Sequence, residues 1–411
     1  MIPYMIMTFL FLLAAIFAAL EASFSSWHIL PWFNGMVWLR IHFITIGVMT
    51  QIIFGVTPIL TAKHYHLPRP KMRWDIWGLL NVGILLLLIG IPLVNKTPII
   101  AGGTLIFIAT ALLLIQLARM RAVSGQSGGP HNGRKFYISG LFFLLIGVLV
   151  GTGFFTGWSG PLGIAGDAGE VHIHANNWGF LSLIFAGLFV DLYGTWTKRP
   201  LASQRAIIPI FWMMTLGALA LVLSPWLANQ TLAAIGAFLH TSSTIWLLVL
   251  AIKPLWGDKT AWTPGIAHLL ASYFWLFAPL SMAPFVIFGI EGVMPAKALE
   301  TTTPQALIYG WVLQFGYAIL PYFYQRYFLG DEKAQLGGTW LTFALVNLGS
   351  VFLWASILIE PLRSPLHGAA YMLWILSILP IAYQLWQITK AGMVKAEAGV
   401  QQMEETTNFS N

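Results

Sequence analysis

Two histidines stand two residues apart in the run Glu170-Val-His172-Ile-His174-Ala-Asn176-Asn177. Imidazole is a ligand for haem iron, copper and zinc. On a regular helix, positions i and i+2 point about 200° apart. His172 and His174 therefore cannot chelate one ion. They can serve two sites on opposite sides of their helix, which suits two planar cofactors better than one small metal centre. A third histidine shares the spacing of the second. His42-x4-Gly47-x7-Gly55 recurs 132 residues later as His174-x4-Gly179-x7-Gly187, and 131 residues further as Gln305-x4-Gly310-x7-Ala318. Glycines one or two turns from a histidine leave room for a macrocycle, and in a membrane they also let helices approach closely.

The other titratable groups are read more simply. His240 is followed by Thr241, Ser242 and Ser243 in an apolar stretch. It reads either as a metal ligand or as a partner in an interhelical hydrogen bond. His367 and His268 open apolar segments, and His268, close after Pro264, is expected at an interface. His28, His64, His66 and His131 fall in loops, and His64-Tyr65-His66 reads as solvated. Glu21 and Asp191 are the carboxylates within apolar segments, with Asp191 expected to anchor an interface. Cysteine is absent, which removes disulfides, thiolate metal sites and cysteine nucleophiles. There is no phosphate-binding glycine loop, no zinc-protease histidine motif and no serine elbow.

The elements that carry these residues follow from composition. Of 411 residues, 58% are hydrophobic and 9% charged, against about 25% charged in soluble domains. The chain reads as an all-α polytopic protein in a lipid bilayer, and its +7 charge marks loops rather than a nucleic-acid surface. Twelve transmembrane helices are expected, near 4–23, 36–60, 75–94, 98–118, 136–156, 171–195, 206–227, 230–252, 264–290, 304–328, 338–359 and 367–388. The first lacks a basic leader, although its small residues from Ala14 to Ser23 also fit a cleaved signal. Lysines and arginines gather in loops after even-numbered spans, so both termini are expected in the cytoplasm and the protein in the inner membrane. Ser124 to Lys135 reads as a flexible inner linker and Gly157 to Glu170 as an outer loop.

The recurring His/Gln and glycine pattern, four spans apart, predicts a pseudo-threefold repeat of four-helix units. The units are about 1–135, 136–263 and 264–390, within a single transmembrane domain 1–390. Residues 391–411 are expected to form a polar, disordered cytoplasmic tail. The topology puts His42, His174 and Gln305 near the outer ends of their helices.

Together, twelve spans, a four-helix pseudo-repeat and outer-side histidines resemble subunit I of the haem–copper oxidases. His172-Ile-His174-Ala-Asn-Asn-Trp-Gly179, with Phe185-Ala-Gly187-Leu, is similar to the His-x-His segment of the C-family enzymes, whose two histidines bind the high-spin and low-spin haems. His42 matches the outer-end histidine that supplies the other low-spin ligand. The resemblance implies one b-type haem clamped by His42 and His174, with His172 facing a second haem or a copper pocket to which His240 contributes. It also implies a redox or gas-related oxidoreductase, a cytochrome or quinol electron donor, and further membrane subunits. The oxidase motif lies on the tenth span, whereas here it lies on the sixth and the tenth carries Gln305. The oxidases' neighbouring copper-binding histidine pair has no counterpart. The NnrS family of haem- and copper-containing membrane proteins shares the span count and the outer histidines. Two other readings remain open: a haem-free copper-handling or oxidase-assembly protein, with copper on His172, His240 and His367, and a secondary transporter whose ninth span would break at Pro279 and Pro284.

Overall fold

The computed structural model of the chain describes residues 1–29, 37–124, 133–287 and 296–408. The helices in chain order are α1 (Ile2–Ser26), α2 (Val37–His64), α3 (Trp74–Gly90), α4 (Lys96–Ser124), α5 (Arg134–Thr156) and α6 (Ala168–Thr197). They continue as α7 (Ile207–Trp226), α8 (Gln230–Leu255), α9 (Pro264–Ile287), α10 (Thr302–Leu329), α11 (Trp340–Leu358) and α12 (Arg363–Asn408). Eleven of the helices among the described residues are long and apolar enough to cross a bilayer, and α3 is apolar but has only 17 residues. No strand occurs among the described residues. That follows from the solvent: in hydrocarbon each backbone N–H and C=O must be satisfied within its own segment, as a helix does.

Two expectations about irregular segments are corrected, and a third lies outside the described residues. The described part of the tail after Gly392 is helical, because α12 continues as one helix to Asn408. Its run of Ala, Lys, Glu, Gln and Met favours helix. It also packs: Gly392 lies against the Phe328 side chain, and Lys395 Nζ donates to the Leu329 carbonyl at 2.8 Å. Pro279 and Pro284 do not break α9, which runs unbroken from Pro264 to Ile287. The linker expected over Ser124 to Lys135, with His131, lies mostly outside the described residues.

The chain divides into two compact units. One comprises Met1–Ile52, Trp262–Leu276 and Gln305–Asn411, and the other Ile53–Ala261 and Phe277–Pro304.

In the second unit, α6 contains a π-helical stretch, Ala175–Leu181. Such stretches carry wider turns than an α-helix and concentrate at functional sites. Phe143 of α5 rests on Gly179 within it, so closely that a Cβ there would lie 2.3 Å from the ring Cγ. The hairpins α3–α4 and α7–α8 each meet glycine on glycine. A Cβ on Gly102 would stand 2.7 Å from the Gly83 carbonyl, and one on Gly236 would stand 2.9 Å from that of Gly217. Small residues at such crossings gain backbone contact where lipid supplies no hydrophobic drive. Phe136 meets Phe211 edge to face at 5.0 Å.

The first unit has the same devices. Its π stretches are Phe43–Met49 in α2 and Ile308–Leu313 in α10. Phe11 of α1 covers Gly47 and Trp275 of α9 covers Gly310, with Cβ approaches of 2.6 and 2.8 Å. In the α11–α12 hairpin Gly349 faces the Ala370 carbonyl. His268 meets Phe343 edge to face at 5.5 Å.

The three helices with π stretches near their histidine or glutamine are the most enclosed. In α2, α6 and α10, 78%, 78% and 100% of the apolar window is buried, against 39–56% in the other long helices.

Candidate functional site

His172 and His174 occupy the last turn of α6 before its π stretch. The helix begins at Asp167, whose side chain accepts from the Gly169 and Glu170 amides at 2.6 and 3.3 Å. This capping satisfies donors that the helix start would otherwise leave open. From there the two imidazoles diverge. His172 reaches α5, where its Nδ1 lies 2.8 Å from the Gly147 carbonyl. His174 reaches α7, where its Nδ1 lies 2.7 Å from the Leu221 carbonyl.

A carbonyl oxygen can only accept. Both Nδ1 atoms therefore carry the proton, and in the neutral ring Nε2 carries the lone pair. This is the arrangement found in metal-bound histidine, where the hydrogen bond of one ring nitrogen fixes which nitrogen ligates.

His42, in the other unit, has the same chemistry by a local route. Its Nδ1 donates to the carbonyl of Trp38, one turn back, at 2.8 Å. The imidazole also stacks on the Trp38 indole, with centroids 4.3 Å apart and planes 16° apart. The π stretch of α2 starts at the next residue. Gln305, at the matching place on α10, is buried and accepts a hydrogen bond from the Tyr371 hydroxyl. Tyr371 also packs against His367 at 4.9 Å and under the Arg40 guanidinium at 5.3 Å. His367 Nδ1 lies 2.7 Å from Ser26 Oγ.

His240 takes the opposite tautomer. It is fully buried, and its Nε2 donates to the Trp178 carbonyl at 3.3 Å while its ring meets the Trp178 indole edge to face at 5.3 Å. Trp178 lies inside the π stretch. Nδ1 of His240 is buried with no hydrogen-bond partner among the described residues. An interhelical hydrogen bond is thus made by one nitrogen and not by the other.

Two side chains have partners that the sequence does not signal. His268 is fully buried, its Nε2 lies 2.9 Å from Thr342 Oγ1, and Gly338 closes over its ring. Asp191 holds the start of α5, accepting from the Gly133 amide at 2.7 Å and the Tyr137 hydroxyl at 2.8 Å. Among the described residues no three of His, Asp and Glu gather closely enough to hold a metal ion. A haem needs only one or two axial side chains, because the porphyrin supplies the other four ligands. The donor set present, single imidazoles with Nε2 as the basic nitrogen, fits that requirement.

No family model and no curated protein matches the chain.

Sequence reasoning missed the partners that orient the imidazoles: the carbonyls of Gly147, Leu221 and Trp38. No side-chain identity signals a carbonyl acceptor. It also missed Phe11, Phe143 and Trp275, which recur 132 residues apart. Carrying the repeat search one helix back would have found them.

Proposed function

We propose that the chain is a twelve-span membrane protein, built of three four-helix repeats, that binds b-type haem through histidine and takes part in electron transfer. The observation that carries this reading is the shared tautomer of His42, His172 and His174, each donating Nδ1–H to a main-chain carbonyl at 2.7–2.8 Å. His42 and His174 are each proposed to hold b-type haem, and His172 a second cofactor. Bound haem would supply one-electron redox chemistry, with a cytochrome or quinol as the class of donor. Holding Nδ1–H on a carbonyl raises the basicity of Nε2 and keeps the ring from rotating.

The repeat reading is supported by the recurrence of one construction at one spacing. Each of α2, α6 and α10 has a π stretch around a glycine covered by an aromatic ring from the preceding helix. Counting the shorter α3, three sets of four helices result. The third copy has Gln305 in place of histidine, and we assign it no haem. The excess of Lys and Arg in alternate loops supports inner-membrane insertion with cytoplasmic termini.

The test is a reduced-minus-oxidised optical spectrum of protein purified from cells supplied with haem. A b-type Soret and α band is expected, lost in His42→Ala and in His174→Ala and kept in His66→Ala. A featureless spectrum would reject the reading, and metal analysis of the same sample would then show whether copper is bound instead.

A further inference from the structure

His172 does not simply touch α5; it fits into it. Gly147 and Gly151 are one turn apart on α5, and His172 and Asn176 are one turn apart on α6. The pairs interlock. A Cβ on Gly151 would lie 2.5 Å from His172 Nδ1 and 2.7 Å from its Cε1. A Cβ on Gly147 would lie 2.4 Å from Asn176 Nδ2 and 2.6 Å from its Oδ1. Two polar side chains thus fill two notches that exist only because α5 has glycine there. Real Cβ atoms do not approach other atoms so closely, and a methyl at either notch must displace the side chain within it.

The notches are chemically directed as well as shaped. The Gly147 carbonyl takes the His172 Nδ1 proton at 2.8 Å. Asn176 Nδ2 donates to the His172 carbonyl at 2.8 Å and lies 3.3 Å from the His172 Nδ1. Its amide therefore borders the same ring edge as the Gly147 carbonyl. With that edge enclosed, a ring flip that exchanged Nδ1 for carbon would leave the carbonyl without its donor and the buried nitrogen without its acceptor.

We infer that Gly147 and Gly151 are positioning residues for His172. The Gly147 carbonyl holds its imidazole in the Nδ1–H tautomer and the Gly151 notch fixes the place of the ring, which makes Nε2 the ligand nitrogen for an iron porphyrin. This rests on the haem reading for the identity of the ligand, whereas the tautomer itself can be read without any haem.

The experiment uses the full-length protein, labelled with ¹⁵N-histidine and reconstituted in lipid without haem, and observed by solid-state NMR. His172 is assigned by its absence from His172→Ala. A protonated Nδ1 and an unprotonated Nε2 are expected in the wild type. Asn176→Ala removes a donor amide that competes with the Nδ1 proton, creates no clash, and is expected to leave Nδ1 protonated. Gly151→Ala is expected to displace the ring and shift both nitrogens. Gly160→Ala, where a methyl would meet nothing within 4 Å, is expected to leave both signals unchanged. Should Gly151→Ala fail to fold, the protonation of Nδ1 in the wild type and in Asn176→Ala still decides. A His172 protonated at Nε2 in the wild type or in Asn176→Ala, or a folded Gly151→Ala with unshifted nitrogens, would overturn the inference. Haem-loaded samples run in parallel separate the two proposals: a wild type with the expected tautomer and no haem band fails the function alone.

Discussion

The ring of Phe143 lies directly on Gly179, where a methyl group would come within 2.3 Å of its Cγ. The contact sits inside the π stretch of α6, between one and two turns from His174. Gly179→Ala should therefore destabilise the protein by about 1–3 kcal/mol, the usual cost of overpacking. Shortening the ring by Phe143→Leu in the same chain should recover part of that loss, since the two positions are in contact and their effects are not additive. Unfolding in detergent, followed by tryptophan fluorescence, checks both. An additive double variant would show that the contact is not the cause.

Asp191 binds the start of α5 by both carboxylate oxygens. Replacing it with Ala leaves the Gly133 amide and the Tyr137 hydroxyl without this acceptor, and should cost about 2–4 kcal/mol. Tyr137→Phe removes one hydrogen bond and should cost about 1 kcal/mol. The same unfolding measurement gives the ordering, and equal losses in the two variants would contradict it.

His268 is a packing residue. His268→Ala opens a cavity beneath Gly338 and removes one of the hydrogen-bond partners of Thr342 Oγ1, for an expected loss of about 2–4 kcal/mol. Its haem content per folded chain should equal that of the wild type. A folded His268→Ala protein with reduced haem would give this side chain a part in cofactor binding and contradict the packing role.

One pH effect is expected outside the membrane spans. The Thr260 hydroxyl and amide, at 2.6 and 2.9 Å, and then the Arg199 guanidinium, hold the Asp258 carboxyl below the usual carboxylate range. Its folded value is thus below its unfolded value. The stabilisation is complete above the unfolded value and is lost as pH falls through the folded one. Melting temperatures of the wild type and Asp258→Asn should converge as pH falls from about 5 toward about 2. A constant difference across that range would contradict the assignment.

Much of the helical architecture is legible in the sequence because hydrocarbon imposes a length and a composition on every span. The long apolar runs place most helix ends within a few residues. The divergence of His172 and His174 follows from helical geometry alone. The π stretches are not legible, because a widened turn leaves no mark on local propensity and shows only in the hydrogen bonding. His268 is hidden for a different reason. Its position near Pro264 suggests an edge, but its cover comes from Gly338, whose left-handed backbone at φ +90° folds a distant loop over the ring. The helical tail of α12 is written in its Ala, Glu, Gln and Lys content, which polarity alone obscures.

The most direct test of haem binding is a pyridine haemochrome assay on wild type and His174→Ala, purified side by side and shown by size exclusion to be folded. We expect b-type haem in the wild type and a clear deficit in the variant. A wild type without haem, or a variant with undiminished haem, would contradict the proposed ligation.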